Sequence, residues 1–226
     1  MSKRIEKQLQ SFKYKGEPLK ITAGTLILIC LCILLLIIST FTQITFIHPF
    51  IPMKIYSFFY HISGGTENLY SIVKTYRYIP QIPMIFFIIA LLGRKFGITA
   101  ILGYILLGMF FPVFALGGGI SYIFEYGFGY ILAFIPAVFF SGTLLKIKSD
   151  FLRVILLAML GVLAIHILGV LYTLFIATLR HTPMDFIMNM ISSQSGFVRI
   201  AYDVFFSTIA IYFGKMARKV FWIIMC

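Results

Sequence analysis

YILLGMFFPVFALGGGISYIFEYGFGYILAFIPAVFFSG, residues 104–142, reads as two apolar runs joined by a loop of glycines, tyrosines and one glutamate. Irregular backbone at membrane depth is tolerated only where protein or a water-filled cavity satisfies its amides and carbonyls. The triplet Gly117, Gly118, Gly119 between two apolar runs therefore points to a lined cavity that receives a small polar molecule. The alternative is a short surface turn.

Composition sets the class around that loop. Of 226 residues, 61% are hydrophobic and 12% charged, which excludes an ordinary soluble domain and leaves room for about six membrane spans. The net charge of +12 comes from basic residues clustered at the ends of apolar runs, where they act as topology anchors, so nucleic acid is not an expected partner. Cys30 and Cys32 lie two apart on different helix faces and Cys226 stands far away, which suggests neither a disulfide framework nor a metal cage. Residues 1–20 are mostly polar, contain Glu6 and Glu17, and lack the pattern of a cleaved signal peptide.

The apolar runs are 21–41, 79–93, 96–114, 128–145, 154–177 and 197–214, each near the roughly 20 residues that cross a bilayer, with the second short. The expected fold is a single all-α membrane domain, residues 1–226, with six transmembrane helices. Fourteen lysines and arginines fall on one side of the spans (residues 1–20, Arg94, Lys95, Lys146, Lys148, Arg153, Lys215, Arg218, Lys219). Five fall on the other: Lys54, Lys74, Arg77, Arg180 and Arg199. The positive-inside rule then puts both termini in the cytoplasm and opens the glycine loop outward.

Two outer connections differ in character. Residues 42–78 are long for a bundle and rich in aromatics and prolines, as suits either a lid over a site or an interfacial belt. Residues 180–195 carry nothing diagnostic and read as a connector. Gly93 and Gly97, then Ala100, Gly103 and Gly108, form a stripe where helices approach closely.

Ionisable residues inside spans are costly unless paired or used. His166 lies near the middle of the fifth span, where an imidazole is able to hydrogen-bond across helices. Asp203 lies about two turns into the sixth, with Arg199 one turn before it, so the pair either neutralises itself or divides a ligand. In the second case Asp203 accepts urea or amide N–H groups, while Arg199, Lys74 or Arg77 balances a carboxylate. Glu125 is a second candidate acceptor, or a solvated loop charge. An intramembrane enzyme is poorly supported, since the chain has neither a His-Glu-x-x-His helix nor a Gly-x-Ser-x-Gly turn. A ligand-free scaffold is the other alternative.

YIPQIP at 78–83, ALLGRKFG at 90–97, YILLGMFFPVFALGGG at 104–119 and SYIFEYGFGYILAF at 121–134, followed by GVLAIHILGVLY at 161–172 and AYDVFF at 201–206, keep their order and spacing. In these pieces the chain resembles the BioY family, the biotin-binding substrate subunits (S components) of energy-coupling-factor transporters. The resemblance implies a six-helix bundle with helices 2–4 in residues 79–145 and helices 5 and 6 in residues 154–214. It implies biotin held near the outer surface of the bacterial inner membrane, with no cofactor. By position, Gln81 falls in the family's loop before the second helix, Gly117, Gly118, Gly119 and Tyr122 in its glycine segment, Tyr130 at the start of the fourth span, and Asp203 on its aspartate. The chain departs from the pattern at Phe206, where members carry a lysine, at Leu116, and in a first span poor in alanine. The implied partners are biotin, a transmembrane coupling subunit, ATPase subunits and membrane lipid. The chain itself has no phosphate-cradling Gly-Lys-Ser/Thr loop, so ATP hydrolysis falls to separate subunits.

Overall fold

The computed structural model describes residues 22–47, 75–145 and 150–225. The basic segment 1–20, Lys54, Lys74, Lys146, Lys148 and the aromatic centre of the 42–78 connection lie outside the described residues. Most of the described residues are helical, and among them four helical stretches are long and apolar enough to cross a bilayer: Ala23–Phe41, Gln81–Phe110, Phe151–Leu179 and Met184–Phe221, with Phe128–Leu144 shorter.

Helix α1 (Ala23–Phe41) starts where the Thr22 hydroxyl accepts the Thr25 amide at 3.2 Å. Its buried residues, Thr25, Leu28, Ile29, Cys32, Leu36, Ser39 and Thr40, recur at helical spacing and form one stripe, while Leu26, Ile27, Leu31, Leu34 and Ile38 face outward. In lipid that outward apolar face needs no protein cover. Two short strands follow, β1 (Ile44–Ile47) and β2 (Thr75–Tyr78), antiparallel with Ile44 opposite Tyr78 and Ile47 opposite Thr75. This ribbon amends the all-α expectation: backbone groups just outside two helix ends pair with each other across the long connection.

Helix α2 (Gln81–Phe110) is broken at Gly93, whose φ of 76° and ψ of −179° are open to glycine and strained for other residues. Its two arms, 81–92 and 94–110, fold back on each other. Gln81 Nε2 donates to the Tyr104 hydroxyl at 2.9 Å, a contact that 23 residues of straight helix, about 35 Å long, forbid. A Cβ placed on Gly97 lies 3.7 Å from the Ile89 Cα, so small residues set the close approach of the arms.

After the glycine loop and a short 3₁₀ turn (Ile120–Phe124) come α3 (Phe128–Leu132) and α4 (Phe134–Leu144). The break between them falls at Leu132 and Ala133 because Pro136 has no N–H for the Leu132 carbonyl. The long α5 (Phe151–Leu179), the amphipathic α6 (Met184–Ser195) and α7 (Phe197–Met225) complete the chain. Residues 180–195, read above as a connector, thus contain a helix with Ile187 fully buried. The core gathers α2 against α7, α4 and α1, with α5 packed on α3, α4 and α7. Glycines set the contacts of α5, since a Cβ on Gly161 or Gly169 would overlap Phe86 or Tyr130.

Candidate functional site

Asp203, on α7, is 1% exposed and has both carboxylate oxygens engaged. The Tyr78 hydroxyl donates to Oδ1 at 2.8 Å, from the last residue of β2. His166 Nε2, from mid α5, lies 3.1 Å from Oδ2. The other ring nitrogen, Nδ1, is 3.0 Å from Ser195 Oγ, and Ser195 Oγ is 2.7 Å from the Tyr130 hydroxyl. An ionised carboxylate only accepts, so a neutral imidazole must carry its proton on Nε2. With Asp203 ionised and His166 neutral, the bonds run from Tyr130 to Ser195, from Ser195 to His166 Nδ1 and from His166 Nε2 to Asp203. The network joins the ribbon, α3, α5, the end of α6 and α7, and fixes five elements around one buried carboxylate. The Tyr130 ring also meets His166 edge-on, with centroids 5.9 Å apart.

A second cluster lies on the Gln81 side. The Tyr104 hydroxyl receives Gln81 Nε2 and lies 3.2 Å from the Thr40 hydroxyl. Phe114 is fully buried from the start of the glycine loop and packs on Tyr104, Tyr122 and Phe128 at centroid distances of 5.4, 4.8 and 6.2 Å. The loop backbone is anchored as well. Phe114 and Gly117 exchange hydrogen bonds at 2.9 and 3.0 Å, and the Gly119 amide donates to the Gly108 carbonyl at 2.9 Å. Gly117 and Gly119 take φ of 123° and 96°, and a Cβ on Gly118 would stand 2.2 Å from the Phe111 carbonyl oxygen. The segment is therefore folded onto the end of α2 around a buried aromatic, while the space above Gly117 and Gly119 is open. Burial first, and then the charge of Glu125, pushes the Tyr122 hydroxyl above its ordinary range and keeps it a donor.

Of the residues singled out from the sequence, Tyr130, His166 and Asp203 meet in one network, and Gln81, Gly117, Gly118, Gly119 and Tyr122 in the adjoining one. Glu125 joins neither: its Oε1 lies 3.5 Å from Arg180 Nη2, each side chain about two-fifths exposed (43% and 41%). Of the two arrangements open to Arg199 and Asp203, the self-neutralising ion pair is not formed: the Asp203 oxygens are taken by Tyr78 and His166. Arg199 Nε is buried without a hydrogen-bond partner among the described residues. Two participants escaped the sequence reading. Tyr78 was visible only as the first letter of YIPQIP, and Ser195 as one of several serines before Gly196.

The model of the BioY family matches residues 75–221. The stretch includes every residue of the Asp203 network. Among solved structures, the chain is similar to the 2.1 Å crystal structure of the S-component for biotin from an ECF-type ABC transporter. The TM-score is 0.60 at 19% identity, over 88% of this chain and 95% of that one. None of the curated proteins compared gives a significant match.

Proposed function

The chain belongs to the BioY family, and from that premise we propose that it takes up biotin as the membrane-embedded, substrate-binding subunit of an energy-coupling-factor transporter. It is a transporter subunit and not an enzyme. The observation that carries the reading is the family match over the stretch that builds both a buried, hydrogen-bonded carboxylate and an anchored glycine loop. Such a site suits a small bicyclic urea: glycine backbone allows close approach, tyrosines offer apolar faces with a hydroxyl, and the carboxylate region attracts N–H donors. The proposed ligand-binding set is Gln81, Gly117, Gly118, Gly119, Tyr122, Tyr130, His166, Arg199 and Asp203, with Tyr78 added and Glu125 at its margin.

In this reading α1, the two arms of α2, the segment Phe128–Leu144, α5 and α7 make six crossings of the bacterial inner membrane. An even number of crossings and the fourteen-to-five bias of basic residues support two cytoplasmic termini. Residues 42–78 then lie outside, with the site. The coupling and ATPase subunits are separate chains, lipid covers the outward apolar faces, and biotin is cargo rather than cofactor.

Heating the purified protein with and without biotin tests the reading. A ligand that binds only the folded form at about 100 times its Kd adds about 2.7 kcal/mol, so the melting temperature should rise by several degrees. No rise at millimolar biotin would remove the assignment.

A further inference from the structure

We infer that Arg199 is the cation that receives the ligand carboxylate, with the Tyr130 and Ser195 hydroxyls beside it. The inference rests on the biotin reading and deepens it, because biotin ends in a carboxylate that must be matched by charge where water is scarce.

Three observations carry it. Arg199 Nε is buried and lacks a hydrogen-bond partner among the described residues, so part of the capacity of a forked donor is unused. Arg199 follows Ser195 by four residues across the α6–α7 junction, and the Ser195 hydroxyl meets the Tyr130 hydroxyl at 2.7 Å. Both Asp203 oxygens are already hydrogen-bonded, so Arg199 is not consumed by the nearest carboxylate. The other described cations on this side are less suitably placed: Arg77 is exposed on the ribbon, and Arg180 pairs with Glu125 and covers the Tyr126 ring at 5.2 Å. Arg199 and Asp203 stand one helical turn apart on α7, about 6 Å along its axis. That separation gives the site an anion-accepting end and an N–H-accepting end on one element.

The test is a binding titration of the full-length protein in detergent with biotin and with biotin amide, which lacks the charge. Wild type should bind biotin about 10- to 100-fold more tightly than the amide, as expected for a charge-assisted, forked contact. Arg199→Gln should erase most of that preference by weakening biotin while moving the amide less than about threefold. Arg199→Lys keeps the charge and should keep part of the preference, and it serves if the glutamine variant folds poorly. Equal affinity of wild type for both ligands would overturn the inference without any variant. A loss of the same size for both ligands in Arg199→Gln would also overturn it, by making the residue structural. If wild type binds biotin in neither form, the biotin reading itself falls and this inference with it.

Discussion

Gly118 shows how tightly a single residue is specified. Its backbone lies against the end of α2, and a methyl group there would sit 2.2 and 2.7 Å from the Phe111 and Gly108 carbonyl oxygens. Gly118→Ala should therefore push the loop off its anchor and cost about 1–3 kcal/mol in denaturant or thermal unfolding. Gly127→Ala is the matched control. That position has ordinary helical angles (φ −75°, ψ −13°) and open space around a Cβ, so the change should stay within about 0.5 kcal/mol. Equal losses at the two sites would mean that the loop is not seated on α2. At this scale the sequence was only partly legible. A glycine triplet announces unusual backbone, yet which glycine is crowded and which is strained depends on Gly108 and Phe111, further back in the chain.

At the scale of elements, the break at Gly93 turns one long apolar stretch into two packed arms. Its backbone angles fall in a region that costs a side-chain-bearing residue about 1–3 kcal/mol, and the Arg218 guanidinium lies 3.3 Å from the position of a Cβ. Gly93→Ala should lower the melting temperature by several degrees and loosen the Gln81–Tyr104 bond that joins the arms. An unchanged melting curve would argue against the fold-back. The boundary after residue 93 could be read in advance because Gly93 precedes Arg94 and Lys95, a charged pair that ends an apolar run. The ribbon of β1 and β2 could not, since its backbone pairing joins four-residue strands about thirty residues apart in the chain. Helix α6 was missed for a related reason: it is short and mixed in polarity, and it buries only Ile187.

Across the whole molecule, apolar runs in the sequence fall on the four long apolar stretches among the described residues, because hydrocarbon imposes length and composition on a crossing. Apolar runs do not encode which helices touch. The Asp203 network illustrates the gap: its members come from residues 78, 130, 166, 195 and 203. Asp203 and His166 stood out because charge and imidazole are costly in a span, whereas Tyr78 and Ser195 look like the many other tyrosines and serines of the chain. Helical spacing left open whether Arg199 and Asp203 neutralise each other or act on different groups, and the two Asp203 oxygens are hydrogen-bonded to Tyr78 and His166. Because Asp203 also ties together β2, α5 and α7, truncating it to alanine would confound binding with folding. Asparagine is the better probe, as it keeps the shape and one acceptor and removes the charge. The decisive measurement is an equilibrium titration of biotin onto wild type and Asp203→Asn side by side, with melting temperatures taken on the same preparations. The expected result is saturable binding to wild type and a loss of at least about tenfold in the variant, with folding retained. Equal biotin affinity in the two proteins would contradict a site built on the buried carboxylate.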